Sequence, residues 1–456
     1  MSTLNVDKVD PSTGTALEIG SSGDTVTVPS GATLTLTSAT LNLPTTITST
    51  TEVKTNKVSP ATGTDFALGD SGDTFTVPSG ATIVNSGTAT GFGITTASFR
   101  PNVKPVIING DMGVAQRSTS VTGTSSGNGW TTVDRWRYWI GTAGTWTITQ
   151  ETLTADEAFE DGFTYAWKWD CTTANASLSA GSYLSINTSL EAQNCALFKK
   201  GTSEAEVMTL AFWVKSTKTG TQIVNIYDAV NDREICQAYT IDATNTWEKK
   251  VLTYPGDTSG PLGTGTTKAI EVKFWVVAGT NYTSGTLQTS WGGATTADGA
   301  VGQVNNADST SNNFHLTGVQ LEVGSYTSST IPSFQHEDYG SNLLRCQRFY
   351  QKFGGNGYEG IATGRVQGAT AAIYSIVYNT AMKSDAPAIG ETGALINTDR
   401  ATFDKPVTGF STTSTGIYSA FFTTTNASES LMDAGEAIIL ATDNGVDGWL
   451  TFDSEM

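Results

Sequence analysis

The sequence predicts an all-β protein in three parts: a repeat stalk, a β-sandwich and a terminal β-domain, with one short helix between the last two. Three observations lead to this fold class. A segment of 27 residues occurs twice near the start of the chain, and ten of the eleven tryptophans lie between Trp130 and Trp291. Throughout, short apolar runs alternate with turns rich in Gly, Asn and Thr, which is typical of sandwiches and barrels.

Residues 1–99 contain the repeat and form the predicted stalk. The two copies begin at Lys8 and Lys57, and 18 of their 27 aligned positions are identical. Turn sequences such as SSGD and PSG divide each copy into three short strands. In the first copy, these predicted strands are 16–19, 25–28 and 32–36.

Strands this short carry only two or three apolar residues each, too few to offset a chain entropy of about 1–2 kcal/mol per residue. We therefore expect neighbouring copies of the chain to supply the missing buried surface. A homotrimeric β-prism or β-solenoid meets that need, because identical rungs from three chains close the sheet edges. A flexible Thr/Ser-rich linker is the open alternative for this part.

Residues 100–338 are predicted to form a jelly-roll β-sandwich. Phe212 and Val214 alternate with Trp213, and the same alternation surrounds Trp275, so one face of each strand should be core and the other amphipathic. The predicted strands are 135–140, 145–150, 165–170, 208–216, 222–228 and 269–278.

A short helix is predicted within 339–355, followed by a β-domain over 356–456. Leu343, Cys346, Tyr350 and Phe353 share a helical stripe, which predicts a helix of about 13 residues. Ser341 is its expected N-cap, and Gly354-Gly355 its expected C-cap. The predicted strands of the last part include 371–378, 419–423, 437–441 and 449–452.

Charge and composition exclude several classes of protein. The chain of 456 residues has a formal net charge of −18, which would repel a phosphate backbone, so we expect no nucleic-acid partner. No apolar run approaches the ~18 residues of a membrane span. The opening MSTLNVDKVD resembles no signal peptide, so we expect neither export nor membrane insertion.

The residue inventory argues against an enzyme. Two histidines, His315 and His336, leave little for a triad or a zinc site. The four cysteines lie at least 24 residues apart, so no CxxC pair exists, and we expect buried thiols made in a reducing cytoplasm. The acidic run TADEAFEDG is more simply a solvated turn or short helix than a pair of catalytic carboxyls. We predict no catalysis and no cofactor.

Several segments resemble structural proteins of tailed phages, especially marine ones. The repeat element SGDTVTVPSGAT is similar to the N-terminal region of their tail fibres. VIINGDMGVAQRS from Val106, DRW from Asp134, and NNFHLTGVQLEVGS from Asn312 followed by CQRFYQKF look like a sandwich-plus-helix unit of such fibres. The closing DGWLTFDSEM resembles their terminal strand.

This resemblance implies a homotrimeric tail fibre that mediates host-surface receptor binding and adsorption. Its N-terminal region would join other virion proteins, its partner on the host would be a surface glycan or protein, and it would be assembled in the host cytoplasm. A head-decorating or other virion fibre and a polysaccharide depolymerase remain alternatives, as does a bacterial adhesin. Because the part after Gly354 has a net charge of −8, we expect that tip to avoid anionic glycans unless a divalent ion bridges them.

The sandwich also looks like a carbohydrate-binding jelly roll, in which an Asn-Gly-acid step and a later acid-acid-Val step hold a structural calcium. Asn109-Gly110-Asp111 fits the first step, whereas Thr317-Gly318-Val319 replaces the second. The resemblance therefore implies Asp111 as a calcium ligand, with its usual partners missing.

Aromatic side chains are the candidate glycan contacts, because sugars stack their C–H faces on rings. Tyr282 and Trp291 lie in the Gly/Thr/Ser-rich loop 279–302, and Tyr358 lies near a predicted strand of the tip. Trp291 could instead pin its loop, and Tyr358 could be core.

Overall fold

A computed structural model describes residues 104–355, 357–399, 404–426, 434–443 and 446–455, with positions 25, 27 and 28. The chain divides into two compact units, Met1–Thr88 and Ala89–Met456. The predicted repeat stalk over 1–99, with its trimer, lies outside the described residues apart from those three isolated positions. All elements below belong to the second unit.

The second unit is all-β, as the sequence predicts. The strands of its large sheet are β1 (Ser120–Gly129), β2 (Trp136–Thr152), β3 (Tyr165–Thr173), β4 (Tyr183–Glu191), β5 (Met208–Ser216), β6 (Gly220–Asp228), β7 (Arg233–Ile241), β8 (Glu248–Tyr254), β9 (Lys268–Ala278), β10 (Gly292–Gly293) and β11 (Asn313–Val323). Within the described ranges the α-helices are α1 (Glu157–Glu160), α2 (Thr280–Thr283) and α3 (Tyr339–Gln347). Short 3₁₀ turns cover Ala192–Asn194, Ala196–Phe198 and Thr296–Asp298. No helix in this described part is long and apolar enough to cross a bilayer.

The large sheet bends into two facing layers. Its strand order is β10-β7-β6-β9-β4-β2-β3-β11-β5-β8, with β1 alongside β2. Although β5 and β9 are far apart in that order, the Phe212 and Phe274 rings lie 4.9 Å apart, and Phe212 lies 5.0 Å from Tyr239 of β7. We call β10, β7, β6, β9, β4 and the first half of β2 the front layer, and the second half of β2 with β3, β11, β5 and β8 the back layer. The predicted β-sandwich is thereby confirmed.

Strand β2 joins the layers. Its first half pairs with β4, from Trp136–Thr188 to Gly141–Tyr183, and its second half pairs with β3. The two predicted strands 135–140 and 145–150 are therefore halves of one element. A 17-residue strand can serve both layers because it bends near Thr142, which has a φ of +47°, and Gly144, which has a φ of +80°.

The core between the layers explains the clustering of tryptophans in this part. Trp136, Trp146, Trp167 and Trp169 are fully buried there, with the Trp167 and Trp169 rings 5.3 Å apart. The expected alternation is confirmed: side chains that flank Trp213 and Trp275 along their strands are fully buried, whereas those two tryptophans lie on the outer faces. Burial of large aromatic rings is the main stabilising contribution of such a core.

The helix prediction is correct in place and wrong in length. Helix α3 ends at Gln347, and its N-cap is Asp338, whose carboxylate accepts a hydrogen bond from the Ser341 backbone N–H at 3.0 Å. The rest of the predicted helix is a strand, β12 (Tyr350–Gly354), paired with a strand at the end of the chain. The stripe misleads because Tyr350 and Phe353, three residues apart, share a face in a helix but lie on opposite faces of a strand, so the spacing reads as helical although pairing makes this segment a strand.

The C-terminal part contains the predicted compact β-domain. Its strands are β13 (Gly360–Gly368), β14 (Ala371–Val377), β15 (Ala388–Gly393), β16 (Leu395–Thr398), β17 (Asp404–Thr415), β18 (Ser419–Asn426), β19 (Ala437–Thr442) and β20 (Gly448–Asp453). Six of them close a small barrel in the order β13-β14-β18-β17-β16-β19, and β12, β20 and β15 form a separate sheet.

Buried charges connect this domain to the sandwich. Arg117 donates to Asp453 at 2.8 Å, and Arg135 pairs with Glu455 while its guanidinium lies 3.5 Å from the centre of the Phe349 ring. Arg135 and Glu455 are both buried, and because removing one partner of a buried ion pair leaves an uncompensated charge, this pair fixes the end of the described chain against the sandwich.

Candidate functional site

The outer face of the front layer carries rows of functional side chains. Paired residues on neighbouring strands share a face, so the register places Trp139, Ser185 and Trp275 in one row. The next row contains Arg137, Asn187 and Lys273, and a third contains Glu271 beside Tyr227. Charged and aromatic side chains from four strands therefore alternate across one surface.

These rows line a groove of about 460 Å³, within the size range of small-molecule sites. Its lining residues come from β2, β4, β6, β9 and α2. They are Trp139, Tyr183, Ser185, Tyr227, Lys268, Glu271, Lys273, Trp275 and Tyr282.

The loop after β9 builds one wall. Helix α2 sets Tyr282 with its ring 5.1 Å from that of Trp275 and 5.8 Å from that of Tyr183. The Ala300 N–H donates to the Tyr282 carbonyl at 2.9 Å, which ties the far end of the loop to this wall. The three rings thus form one packed unit against the sheet.

Gly141 makes room for the Tyr183 ring. A Cβ at this position would lie 2.6 Å from the ring, closer than carbon atoms pack, so a side chain there would displace the ring.

Trp139 forms the opposite wall and is 37% exposed. The Arg137 guanidinium lies 4.4 Å from the centre of its ring and 4.5 Å from that of Trp130, and it donates to Asn128 Oδ1 at 2.5 Å. Stacking on a cation restrains the indole without covering its free face. An exposed but positioned tryptophan is a surface on which a flat, partly apolar ligand can stack.

Charged groups form the floor. Lys268 Nζ lies 3.0 Å from Glu271 Oε2, and Lys273 Nζ lies 3.8 Å from Glu271 Oε1. Burial acts to raise the pKa of Glu271, but Lys273 and Lys268 outweigh it, so this pKa is held below its ordinary value. Glu271 is therefore ionised at neutral pH and serves as a hydrogen-bond acceptor.

Of the three predicted glycan contacts, the structure places Tyr282 in the groove and the other two elsewhere. Trp291 Nε1 donates to the Pro255 carbonyl at 2.7 Å, and Lys200 Nζ lies 5.3 Å from the centre of its ring, so this tryptophan anchors its loop. The Tyr358 hydroxyl donates to Asp404 Oδ2 at 2.5 Å, within the C-terminal domain. Neither of these two lines the groove.

Asp111, the predicted calcium ligand, takes part in packing. Its carboxylate accepts a hydrogen bond from Asn342 Nδ2 of α3 at 3.1 Å. Its neighbour Asn109 binds Val114 and the Asp134 carbonyl, while the Trp136 indole donates to the Asn109 carbonyl at 3.0 Å. Across the described ranges no group of three or more His, Cys, Asp or Glu side chains is placed to hold a metal ion. The calcium site stays a prediction.

The other chemical candidates also have structural explanations. All four cysteines are buried and free, as expected, and burial raises the pKa of the Cys236 thiol. The acidic run TADEAFEDG contains α1 and is mostly exposed, which confirms the simpler interpretation of it.

Sequence reasoning missed most of the groove. Trp139, Glu271 and Lys273 belong to strands that are far apart in the chain and become neighbours through pairing with β4, which was not among the predicted strands. The available signal was the position of Trp275 on the amphipathic side of its strand, opposite the core.

No family model matches the chain, and no curated protein does. Solved structures with partial similarity include the enzymatically active domain of tailspike protein 4 of bacteriophage CBA120, at 12% identity and a TM-score of 0.24 over 48% of this chain. The chain covers 21% of that protein. TmCBM61 in complex with β-1,4-galactotriose has 9% identity and a TM-score of 0.24, over 48% of this chain and 99% of that one.

A family 11 carbohydrate-binding module from a Clostridium thermocellum cellulase has 10% identity and a TM-score of 0.23, over 45% of this chain and 99% of that one. Values this low establish neither a family nor a function, so the function is argued from the groove itself.

Proposed function

We propose that this protein binds glycans, and that the groove on the front layer is its binding site. The observation that supports this most strongly is the exposed ring of Trp139, which forms one wall of a groove whose floor carries charged groups. A saccharide has apolar C–H faces and a rim of hydroxyls. Rings take the faces, while Lys268, Glu271 and Lys273 offer donors and an acceptor for the rim.

The proposed activity is binding without catalysis. Glycoside hydrolysis needs two carboxyls across the scissile bond, roughly 5–10 Å apart. Among the described residues that line the groove, Glu271 is the one carboxylate, and its ion pairs keep it deprotonated and unsuited to act as an acid. Incubating the protein with each glycan that it binds should therefore release no reducing ends, whereas sustained turnover would make it a depolymerase.

We propose further that the protein is a homotrimeric fibre of a tailed-phage virion, attached through its N-terminal region. The sequence repeat of residues 1–99 and the resemblance of the quoted motifs support this. Three grooves per fibre would raise avidity even if each contact is weak. Sedimentation should give about three times 47.9 kDa, and antibody labelling of virions should mark the tail. A monomer at micromolar concentration, or label on the head alone, would contradict this assignment.

The binding site is tested by Trp139→Ala in the full chain. Because Trp139 is 37% exposed, its removal should leave folding intact. Losing one stacking surface should weaken binding of the best ligand from a glycan array by roughly 1–2 kcal/mol, about five- to thirtyfold in Kd. The measurement is calorimetric titration.

Tyr418→Ala is the matched control, since Tyr418 is 67% exposed and lies in the turn between β17 and β18. It should bind like the unmodified chain. If Trp139→Ala retains full affinity, or if no glycan binds the protein at all, the groove is not the proposed site.

A further inference from the structure

The front-layer groove contains a lysine whose N–H donors are not used within the described part of the fold. Lys273 Nζ makes no hydrogen bond to any residue in the described part of the chain, and its one ionic contact is the 3.8 Å approach to Glu271. That distance exceeds hydrogen-bond length. Its side chain keeps 24% exposure, so a ligand in the groove can reach it.

Glu271 is already compensated by a different lysine. Lys268 binds its other carboxylate oxygen at 3.0 Å, which is a full charge-assisted hydrogen bond. Two further acids on this face are also engaged: Glu234 accepts from Asn225 Nδ2 and from the Thr295 N–H, both at 3.3 Å, and Asp232 accepts from the Tyr227 hydroxyl at 3.0 Å. The groove lining therefore has two lysines for one carboxylate, within a chain of net charge −18.

Two rings hold the free ammonium in place. It lies 5.6 Å from the centre of the Tyr227 ring and 5.7 Å from that of Trp275. Cation–π contacts on both sides restrict the lysine without taking up its N–H donors. A positioned ammonium beside a stacking platform matches a sugar ring that bears a carboxylate.

We propose that the ligand of this groove is an acidic saccharide, whose ring stacks on Trp139 and whose carboxylate binds the Lys273 ammonium. This inference rests on the proposed glycan-binding function and narrows it to one ligand class. It also locates acidic-glycan recognition on the sandwich rather than on the C-terminal domain, whose net charge of −8 disfavours such ligands.

The test compares polysaccharides that differ only in charge. The probes are polygalacturonate, alginate and hyaluronate, each beside its carboxyl-reduced neutral form, titrated against the full chain at 20 and 200 mM salt. At least one carboxylated polymer should bind about tenfold or more tightly than its reduced form. The preference should shrink at high salt, because screening weakens an ionic contact that remains partly exposed.

Lys273→Met removes the charge and keeps the apolar stem of the side chain. It should lower affinity for the carboxylated polymer by about tenfold and lower affinity for the reduced form by a smaller factor, because a hydroxyl makes a weaker contact with the ammonium than a carboxylate does. Lys249→Met is the matched control, because Lys249 lies 5.8 Å from the centre of the Trp213 ring on the outer face of the back layer. This control should bind like the unmodified chain.

The outcomes separate this inference from the proposed function. Equal affinity for carboxylated and reduced polymers, with both lost in Trp139→Ala, would overturn the acidic ligand and retain the glycan site. A charge preference that survives Lys273→Met, or that disappears equally in Lys249→Met, would also overturn the role of Lys273. Binding to no saccharide of either kind would contradict the proposed function itself.

Discussion

The two outer faces of the sandwich carry the same kinds of residue and differ in how these are covered. The back layer has Trp213, Trp247, Lys249 and His315, a set as rich in rings and charges as the front groove. There, however, Asp161 accepts from both Trp213 Nε1, at 3.0 Å, and Lys249 Nζ, at 3.2 Å. On the front layer no loop residue does the same for Lys273 among the residues described. Residue type alone therefore does not make a site.

Each face has a glycine that lies beneath an aromatic ring, and the two rings differ in how far they are covered by other residues. On the back layer, Gly318 lies under the fully buried Phe163, which packs with Phe334 and His336 at ring distances of 4.9 Å. On the front layer, Gly141 lies under Tyr183, which is half-buried in the groove. The Phe163 ring therefore has no space to move into, whereas the Tyr183 ring borders an open groove.

Gly318→Ala should have the largest effect. The new Cβ would meet the Phe163 ring at 2.6 Å, and the φ of +61° at this position disfavours any residue with a side chain. Overpacking and the left-handed backbone together should cost about 2–4 kcal/mol of unfolding free energy. Chemical denaturation measures the unfolding free energy. A loss below ~1 kcal/mol would show that packing around Phe163 adapts to an added Cβ as readily as packing around Tyr183 on the front layer.

Gly141→Ala should change binding more than stability. Its Cβ would also meet a ring at 2.6 Å, but Tyr183 can turn into the groove, so we expect a stability loss within about 1 kcal/mol. The displaced ring should lower glycan affinity several-fold in titrations. If stability falls as far as in Gly318→Ala while the affinity of the folded fraction is unchanged, the Tyr183 ring does not turn into the groove.

Lowering the pH should reduce the stability contributed by the back face before it affects glycan binding on the front face. Burial lowers the pKa of His315, whose Nδ1 lies 2.7 Å from Glu151 Oε2. An unfolded histidine takes up a proton below about pH 6.5, whereas the folded one resists it, so unfolding free energy should fall as pH drops through that value.

His315→Gln should reduce the slope of stability between pH 7 and 5. Glycan affinity should stay constant over the same range, because the pKa of Glu271 is below its ordinary value. Denaturation and titration at both pH values test the pair, and an equal pH slope in His315→Gln and the unmodified chain would rule out the histidine as the cause.

Asp161→Asn should have the smallest effect. Asp161 and Lys249 are 43% and 27% exposed, and such surface pairs contribute about 0–1 kcal/mol. Freeing Lys249 should not create a second glycan site, since Trp213 packs against a covered cluster of Leu153, Ala158, Phe163, Ala166 and Trp247. Stoichiometry from calorimetry should be the same as for the unmodified chain, and an additional site would show that a free lysine over a tryptophan suffices.

The local sequence predicted the structure correctly wherever the residue pattern within one strand determines it. The predicted strand 208–216 coincides with β5, and the alternation around Phe212 and Phe274 correctly identified the core face. Prediction from the local sequence failed where pairing between two distant segments determines the secondary structure. β12 was predicted as helix because the spacing of Tyr350 and Phe353 fits the helical period, and pairing with β20 about a hundred residues later imposes the strand.

The residues of the candidate site also fall into those that the local sequence predicted and those that only strand pairing brings together. Tyr282 was predicted from its own loop, but Trp139, Glu271 and Lys273 acquire a shared role only when β4 joins β2 to β9.

The sequence by itself determined the all-β class, the burial of the cysteines, and which side of each predicted strand is apolar. These follow from period-two alternation and from the free energy of burying large side chains, both of which are local properties of the chain. The tertiary structure decided which amphipathic face is covered by a loop and which remains open, and which lysine finds a carboxylate. The covering of the back face depends on loop placement between distant segments, such as Asp161 and Lys249, 88 residues apart, because a hydrogen-bond partner is supplied by whichever segment packs nearest.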